Sequence, residues 1–203
     1  MEHFIHSGKI LILLVNCWQS FFSRNHNANF YRRQDPASWD DEFAYAVRDV
    51  YVERYRMLPY LYTLTYNAHT QGSTVVRSLM MEFPEDREAL TIDEQFLWGS
   101  HFLISPGLSE STEVRAYFPV ETQWFDYWTG LRMQPGWNIL HTPLDKINLH
   151  FRKGAIIPMQ EPAVVTFESR QKPFEILYVI GPNENIFFGK QCQSFNAIFS
   201  SVF

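Results

Sequence analysis

Phe21-Phe22-Ser23-Arg24-Asn25-His26-Asn27, followed by Arg33-Gln34-Asp35-Pro36-Ala37-Ser38-Trp39, is the stretch on which the fold turns. Two aromatics end an expected strand, and after Ser23 come a guanidinium, an amide, an imidazole and a second amide. A buried strand reads this way where it opens onto the mouth of a pocket, since such groups suit hydrogen bonding to hydroxyls. Arg24 and His26 would serve equally well to satisfy buried carboxylates or carbonyls at a domain junction. The residues alone leave both uses open.

Downstream, 36–72 predicts one long helix interrupted by a proline. Phe43, Val47, Val50, Tyr51, Arg54, Leu58, Leu61, Tyr62 and Thr65 recur at three- and four-residue spacing, which is one amphipathic face. Ser38 or Asp40 can cap its start, Asp41 and Glu42 place negative charge in its first turn, and Gly72 suits the left-handed position after its end. Pro59 is expected to kink it, because a proline removes a backbone donor and crowds the preceding turn. After Gly72 the texture changes to short β-branched and aromatic runs: 75–76, 102–104, 114–118, 124–127, 147–151, 155–157 and 174–180. Thr129-Gly130, Pro135-Gly136 and Lys153-Gly154 supply reversals between them, and closely spaced strands without intervening helices argue for an antiparallel sandwich. The chain therefore divides near Thr74.

Upstream, Ile10 to Val15 is an apolar run after Lys9, too short for a bilayer span of about 20 residues. It reads either as a weak signal segment or as a buried strand. Of the 203 residues, 46% are hydrophobic and 17% aromatic, enough to build a core, so a wholly disordered chain is excluded. The formal charge of -5 provides no positive field to gather phosphates, so nucleic acid is not an expected partner. Two cysteines, Cys17 and Cys192, exclude a disulfide framework and an all-cysteine metal site.

The opening stretch resembles the end of the catalytic barrel in family 31 glycoside hydrolases, within which it is most similar to the maltase-glucoamylase and sucrase-isomaltase group. Further segments agree in the same order: Arg54-Tyr55-Arg56-Met57-Leu58-Pro59-Tyr60, Phe96-Leu97-Trp98-Gly99, Leu103-Ile104-Ser105-Pro106, Trp124-Phe125-Asp126-Tyr127, Ile147-Asn148-Leu149-His150-Phe151-Arg152, Ile156-Ile157-Pro158 and Ser169-Arg170-Gln171-Lys172. The resemblance implies an α/β remnant, the last strand and helix of a TIM barrel, followed by an all-β antiparallel sandwich. It implies these divisions: 1–19 outside the family pattern, 20–74 the end of the barrel, 75–180 the proximal C-terminal sandwich, and 181–203 a tail outside the pattern. His26 then corresponds to the histidine that contacts the sugar where cleavage occurs, at the C-terminal end of a barrel strand, with Arg24 supporting it from the same loop. The implied substrate of the full-length parent is an α-glucoside oligosaccharide, with no metal or other cofactor. The implied location is the secretory pathway, at the apical membrane or extracellular lumen or in the lysosome.

Retaining glycosidases need two carboxylates about 5–5.5 Å apart. In the family both precede the segment of His26, and neither motif is present in this sequence, so no catalytic residue is assigned and the chain alone is expected to be inactive. Asp40, Asp41 and Glu42 fit a helix start, Glu82, Glu85 and Asp86 read as a solvated turn around Pro84, and Asp126 falls in a strand. The seven histidines show no metal spacing, and His101, His141 and His150 are expected to be satisfied polar groups. Sequence also departs from the family at Ser78, where proline is usual, at Lys153, where glycine is usual, and at Gln19-Ser20. An alternative is a non-catalytic sandwich that binds carbohydrate through Trp124, Trp128 or Trp137, or binds a partner, with the missing part of the barrel as the expected one. Core packing accounts for the same tryptophans.

Overall fold

The computed structural model describes residues 38–109, 111–143 and 146–179, and the backbone of 186–190. Asp40 begins the first helix: its side chain accepts the Phe43 N–H at 2.9 Å, and α1 runs Asp41–Arg56. Phe43, Val47 and Val50 form its buried stripe, packed with Trp39, Tyr51 and Ile147. The expected single kinked helix is two helices. Met57 breaks the first (φ -89, ψ 3), and α2 runs Leu58–Gln71 with Pro59 in its first turn. A proline there sacrifices no intrahelical hydrogen bond, so the chain restarts a helix instead of bending one. α2 buries Tyr60, Leu61 and Leu64 and ends on Gly72 at φ 68.

A five-stranded antiparallel sheet forms the centre. Its strands are β1 (Val76–Ser78), β2 (Phe96–Trp98), β3 (Phe102–Ser105), β5 (Trp124–Asp126) and β7 (Asn148–Arg152), in the order β1-β2-β3-β7-β5; β4 (Glu113–Phe118) pairs separately with β6 (Gly136–His141) as a two-stranded ribbon. A third sheet runs β10-β9-β8, from Ile186–Lys190, Phe174–Val179 and Ile156–Gln160. Alternation along the strands sends side chains to two cores. Trp98, Phe102, Ile104, Phe125, Leu149 and Phe151 face the first, where Met57, Tyr60, Leu61 and Leu64 of the helical segment and Ile157, Met159 and Leu177 of the third sheet meet them. Leu97, Leu103 and Trp124 face the second, closed by Leu79, Phe83, Ala89, Ala116, Tyr117 and Phe118.

Two expectations change on the second side. The strand 136–141 was not anticipated, because its residues alternate between half-buried and exposed and present no apolar run. The turn expected around Pro84 is exposed at Pro84 and Glu85, but Glu82 is not part of it: Leu79–Glu82 forms a short helix, α3, capped by Ser78, whose hydroxyl accepts the Met81 N–H at 3.4 Å. Ser78 sits at φ -72, inside the range that proline also adopts, so the position is compatible with either residue. In the turn after β7 the left-handed position is Gly154, at φ 81, and the Ala155 N–H closes the turn on the Arg152 carbonyl at 3.0 Å. A further short helix, α4, spans Thr166–Ser169. Residues 186–190, in a tail without clean periodicity, pair antiparallel with β9.

Candidate functional site

Arg24 and His26 lie outside the described residues, and so does the strand expected to end at Phe22. The described residues instead show how the helical segment is joined to the sandwich. Glu53 and Arg56 lie one turn apart on α1. Tyr127, just after β5, donates its hydroxyl to Glu53 Oε2 at 2.7 Å, and Arg56 Nη2 donates to Glu175 Oε2 of β9 at 2.6 Å while its Nη1 stands 3.5 Å from Glu53 Oε1. One polar chain thus ties α1 to two sheets. Burial, and after it the bond to Glu53, pushes the Tyr127 phenol well above its ordinary pKa, so the hydroxyl stays a donor. Beside the chain lies a cavity of about 30 Å³, walled by Val50, Met57, Trp98, Phe102 and Leu149 with Glu53 at its edge. That is room on the scale of a water molecule or two, far below a glucosyl unit. Sequence reading missed this seam because its members stand 74 and 119 positions apart and carry no local signature.

A second cluster surrounds Glu82. Arg77 Nη1 reaches its Oε2 at 2.8 Å and Arg152 Nη1 its Oε1 at 2.7 Å, while Arg152 also donates to the Ser100 carbonyl at 3.3 Å and stacks over Phe83 at 5.0 Å. Two guanidiniums share one half-buried carboxylate. Burial first, and then Arg152, lowers the pKa of nearby His101, whose Nδ1 stands 2.6 Å from the Ser100 hydroxyl. Asp86 accepts the Tyr117 hydroxyl at 2.8 Å and holds the Glu88 N–H at 3.1 Å. These carboxylates, expected in a solvated turn, are structural anchors.

His150 departs further from expectation. It is 1% exposed and its Nδ1 has no hydrogen-bond partner; the nearest carboxylate, Asp126, stands 3.9 Å from Nε2. Asp126 meanwhile uses Oδ1 to hold the turn after β5, accepting the Trp128 and Thr129 N–H groups at 3.1 and 2.7 Å. Of the three candidate sugar platforms, Trp124 is 1% exposed and belongs to the second core. Trp137 is exposed, yet the Arg115 guanidinium lies 4.0 Å over its ring, occupying a face that a pyranose would need. Trp128 is pinned by its indole N–H to the Ile147 carbonyl at 2.8 Å. Among the described residues no three His, Cys, Asp or Glu side chains gather as a metal site, and no helix is long and apolar enough to cross a membrane.

Against known families, the model described as the glycosyl hydrolases family 31 TIM-barrel domain matches residues 14–64, and the one described as the glycosyl hydrolase family 31 C-terminal domain matches 72–157. The chain belongs to glycosyl hydrolase family 31. Among curated family members it is 49% identical over 165 residues to the human probable maltase-glucoamylase 2, covering 80% of this chain and 6% of that protein. It is 42% identical over 166 residues to human intestinal sucrase-isomaltase, with 80% and 9% covered, and 44% identical over 169 residues to bovine lysosomal alpha-glucosidase, with 74% and 18% covered. The chain therefore spans less than a fifth of the length of these relatives. Among solved structures, the family 31 dextranase of Flavobacterium johnsoniae, complexed with glucose, superposes at a TM-score of 0.75 with 26% identity, over 85% of this chain and 22% of that one. The Tris-bound glucosidase II alpha subunit superposes at 0.80 with 24% identity over 87% and 20%, a likeness of fold.

Proposed function

We propose that this chain is part of a retaining α-glucosidase, supplying the end of its catalytic barrel and the sandwich behind it, while the parent cleaves terminal α-glucosyl bonds of maltose-like oligosaccharides. The observation that carries the reading is the succession of two family 31 models along the chain, barrel first and C-terminal domain second. In the parent, His26 holds the glucosyl unit at the point of cleavage and Arg24 supports its loop.

The chain by itself does not cleave. Among the described residues the half-buried carboxylates already have structural partners: Glu53 holds Tyr127, Glu82 two arginines, Asp86 Tyr117, Asp126 a turn and Glu175 Arg56. A partner-binding role for the isolated chain is favoured by the exposed side chains of Tyr45, Val52 and Tyr55 on α1 and Tyr66 on α2, which suit docking against the remaining part of a barrel. The 203-residue chain is expected to release no chromophore from a chromogenic α-glucoside, and turnover above a buffer blank refutes the assignment of its carboxylates to structure. In an active family 31 protein carrying this segment, His26→Ala is expected to lower kcat/KM on the order of 100-fold, the scale of a misplaced substrate. An unchanged value removes His26 from the sugar site.

A further inference from the structure

The second core contains one ionisable ring with no donor or acceptor facing one of its nitrogens. His150 of β7 points to that side together with Asn148 and Arg152, its strand neighbours of the same parity. Leu103 stands opposite it on β3, Asp126 opposite it on β5, and from the ribbon Phe118 of β4 meets its ring edge-on with centroids 4.7 Å apart. The ring is thus a polar plug between the five-stranded sheet and the ribbon. We propose that His150 is an acid-sensitive plug, and that taking a proton from solvent onto its ring releases the β4–β6 ribbon from the central sheet.

The geometry leaves the protonated ring no good place. A cationic imidazole has two N–H donors; Nδ1 has no acceptor, and Nε2 faces Asp126 Oδ2 at 3.9 Å, beyond hydrogen-bond length, on a carboxylate whose other oxygen, Oδ1, anchors it in the turn. Among the other elements packed on the ring, β3 presents Leu103 and β4 presents Phe118, both uncharged, and Arg152 along its own strand is held by Glu82. Phe118, itself 0% exposed, closes the ribbon side of the ring, so lifting the ribbon is what brings water to that face of a buried cation. Burial lowers the His150 pKa to about 4, with Asp126 opposing. A histidine depressed in the closed state and ordinary in the open state favours closure above pH 6.5, and that advantage fades as pH falls toward 4.

Hydrogen exchange of the wild-type chain at pH 7 and pH 5, corrected for the intrinsic rate, tests this. The amides of Glu113–Phe118 and Gly136–His141 are expected to lose protection about 20-fold at pH 5, from the pKa of about 4, while those of α2 keep theirs. His150→Gln abolishes the loss; should that variant not fold at pH 7, His150→Met, which carries no titrating group, replaces it. Asp126→Asn, which withdraws the only charge acting on the ring among the described groups, deepens the loss at pH 4. Equal protection of the wild-type ribbon at both pH values overturns the proposal, as does an equal loss in α2 or the same 20-fold loss in the His150 variants.

Discussion

Gly99→Ala is expected to cost the fold about 3 kcal/mol, combining about 1–2 for a left-handed alanine with about 1–3 for overpacking. Gly99 turns the β2–β3 hairpin at φ 59, and a Cβ there would stand 2.6 Å from Leu64 Cδ2 and 2.9 Å from the Tyr60 hydroxyl. Neither neighbour yields easily. Leu64 lies in the first core, and the Tyr60 hydroxyl donates to the Trp98 carbonyl at 2.8 Å. Gly72 supplies the control: its φ is 68, but nothing lies within 4 Å of the added carbon, so Gly72→Ala is expected to cost only about 1 kcal/mol. Urea midpoints of the two variants separate backbone strain from the close approach of helix and hairpin. Equal losses refute that close approach.

Glu82→Gln removes the carboxylate between Arg77 and Arg152 and is expected to destabilise by about 2–3 kcal/mol, below the 3–5 of a fully buried pair because both arginines keep roughly a quarter of their side chains in water. The loss arises less from the missing hydrogen bonds than from two cations left facing each other. Adding Arg77→Met to Glu82→Gln is therefore expected to recover about 1 kcal/mol in a double-mutant cycle. Strict additivity of the two changes refutes the shared-carboxylate account.

How much of this was legible follows from the range of each interaction. Asp40, Gly72 and the glycine turns at 130, 136 and 154 are local devices, and the residues that perform them are the residues that signal them. Most strands were readable from their texture: Phe102 to Ile104, for example, faces cores on both sides of one sheet and so presents an unbroken apolar run. β6 was not, since Trp137, Ile139 and His141 look outward from a ribbon with one covered side. The helix break at Met57 was read as a kink because Pro59 signals interruption without saying whether the axis continues. Glu82, Asp86 and His150 were misjudged for a different reason: their partners or neighbours come from β1, β4, β5 and β7, and neighbouring residues in sequence reveal no such meeting. Arg24 and His26 rest on the family resemblance and await their tests.

The helices and the sandwich share one interior. Met57, Tyr60, Leu61 and Leu64 contribute to the same core as Phe102, Phe151 and Leu177, and the border between the two family models falls between residues 64 and 72, within α2. Units of inheritance and units of folding therefore do not coincide here. Excision of the C-terminal module at that border would bare a greasy wall, and a transplantable version must carry its helical lid along.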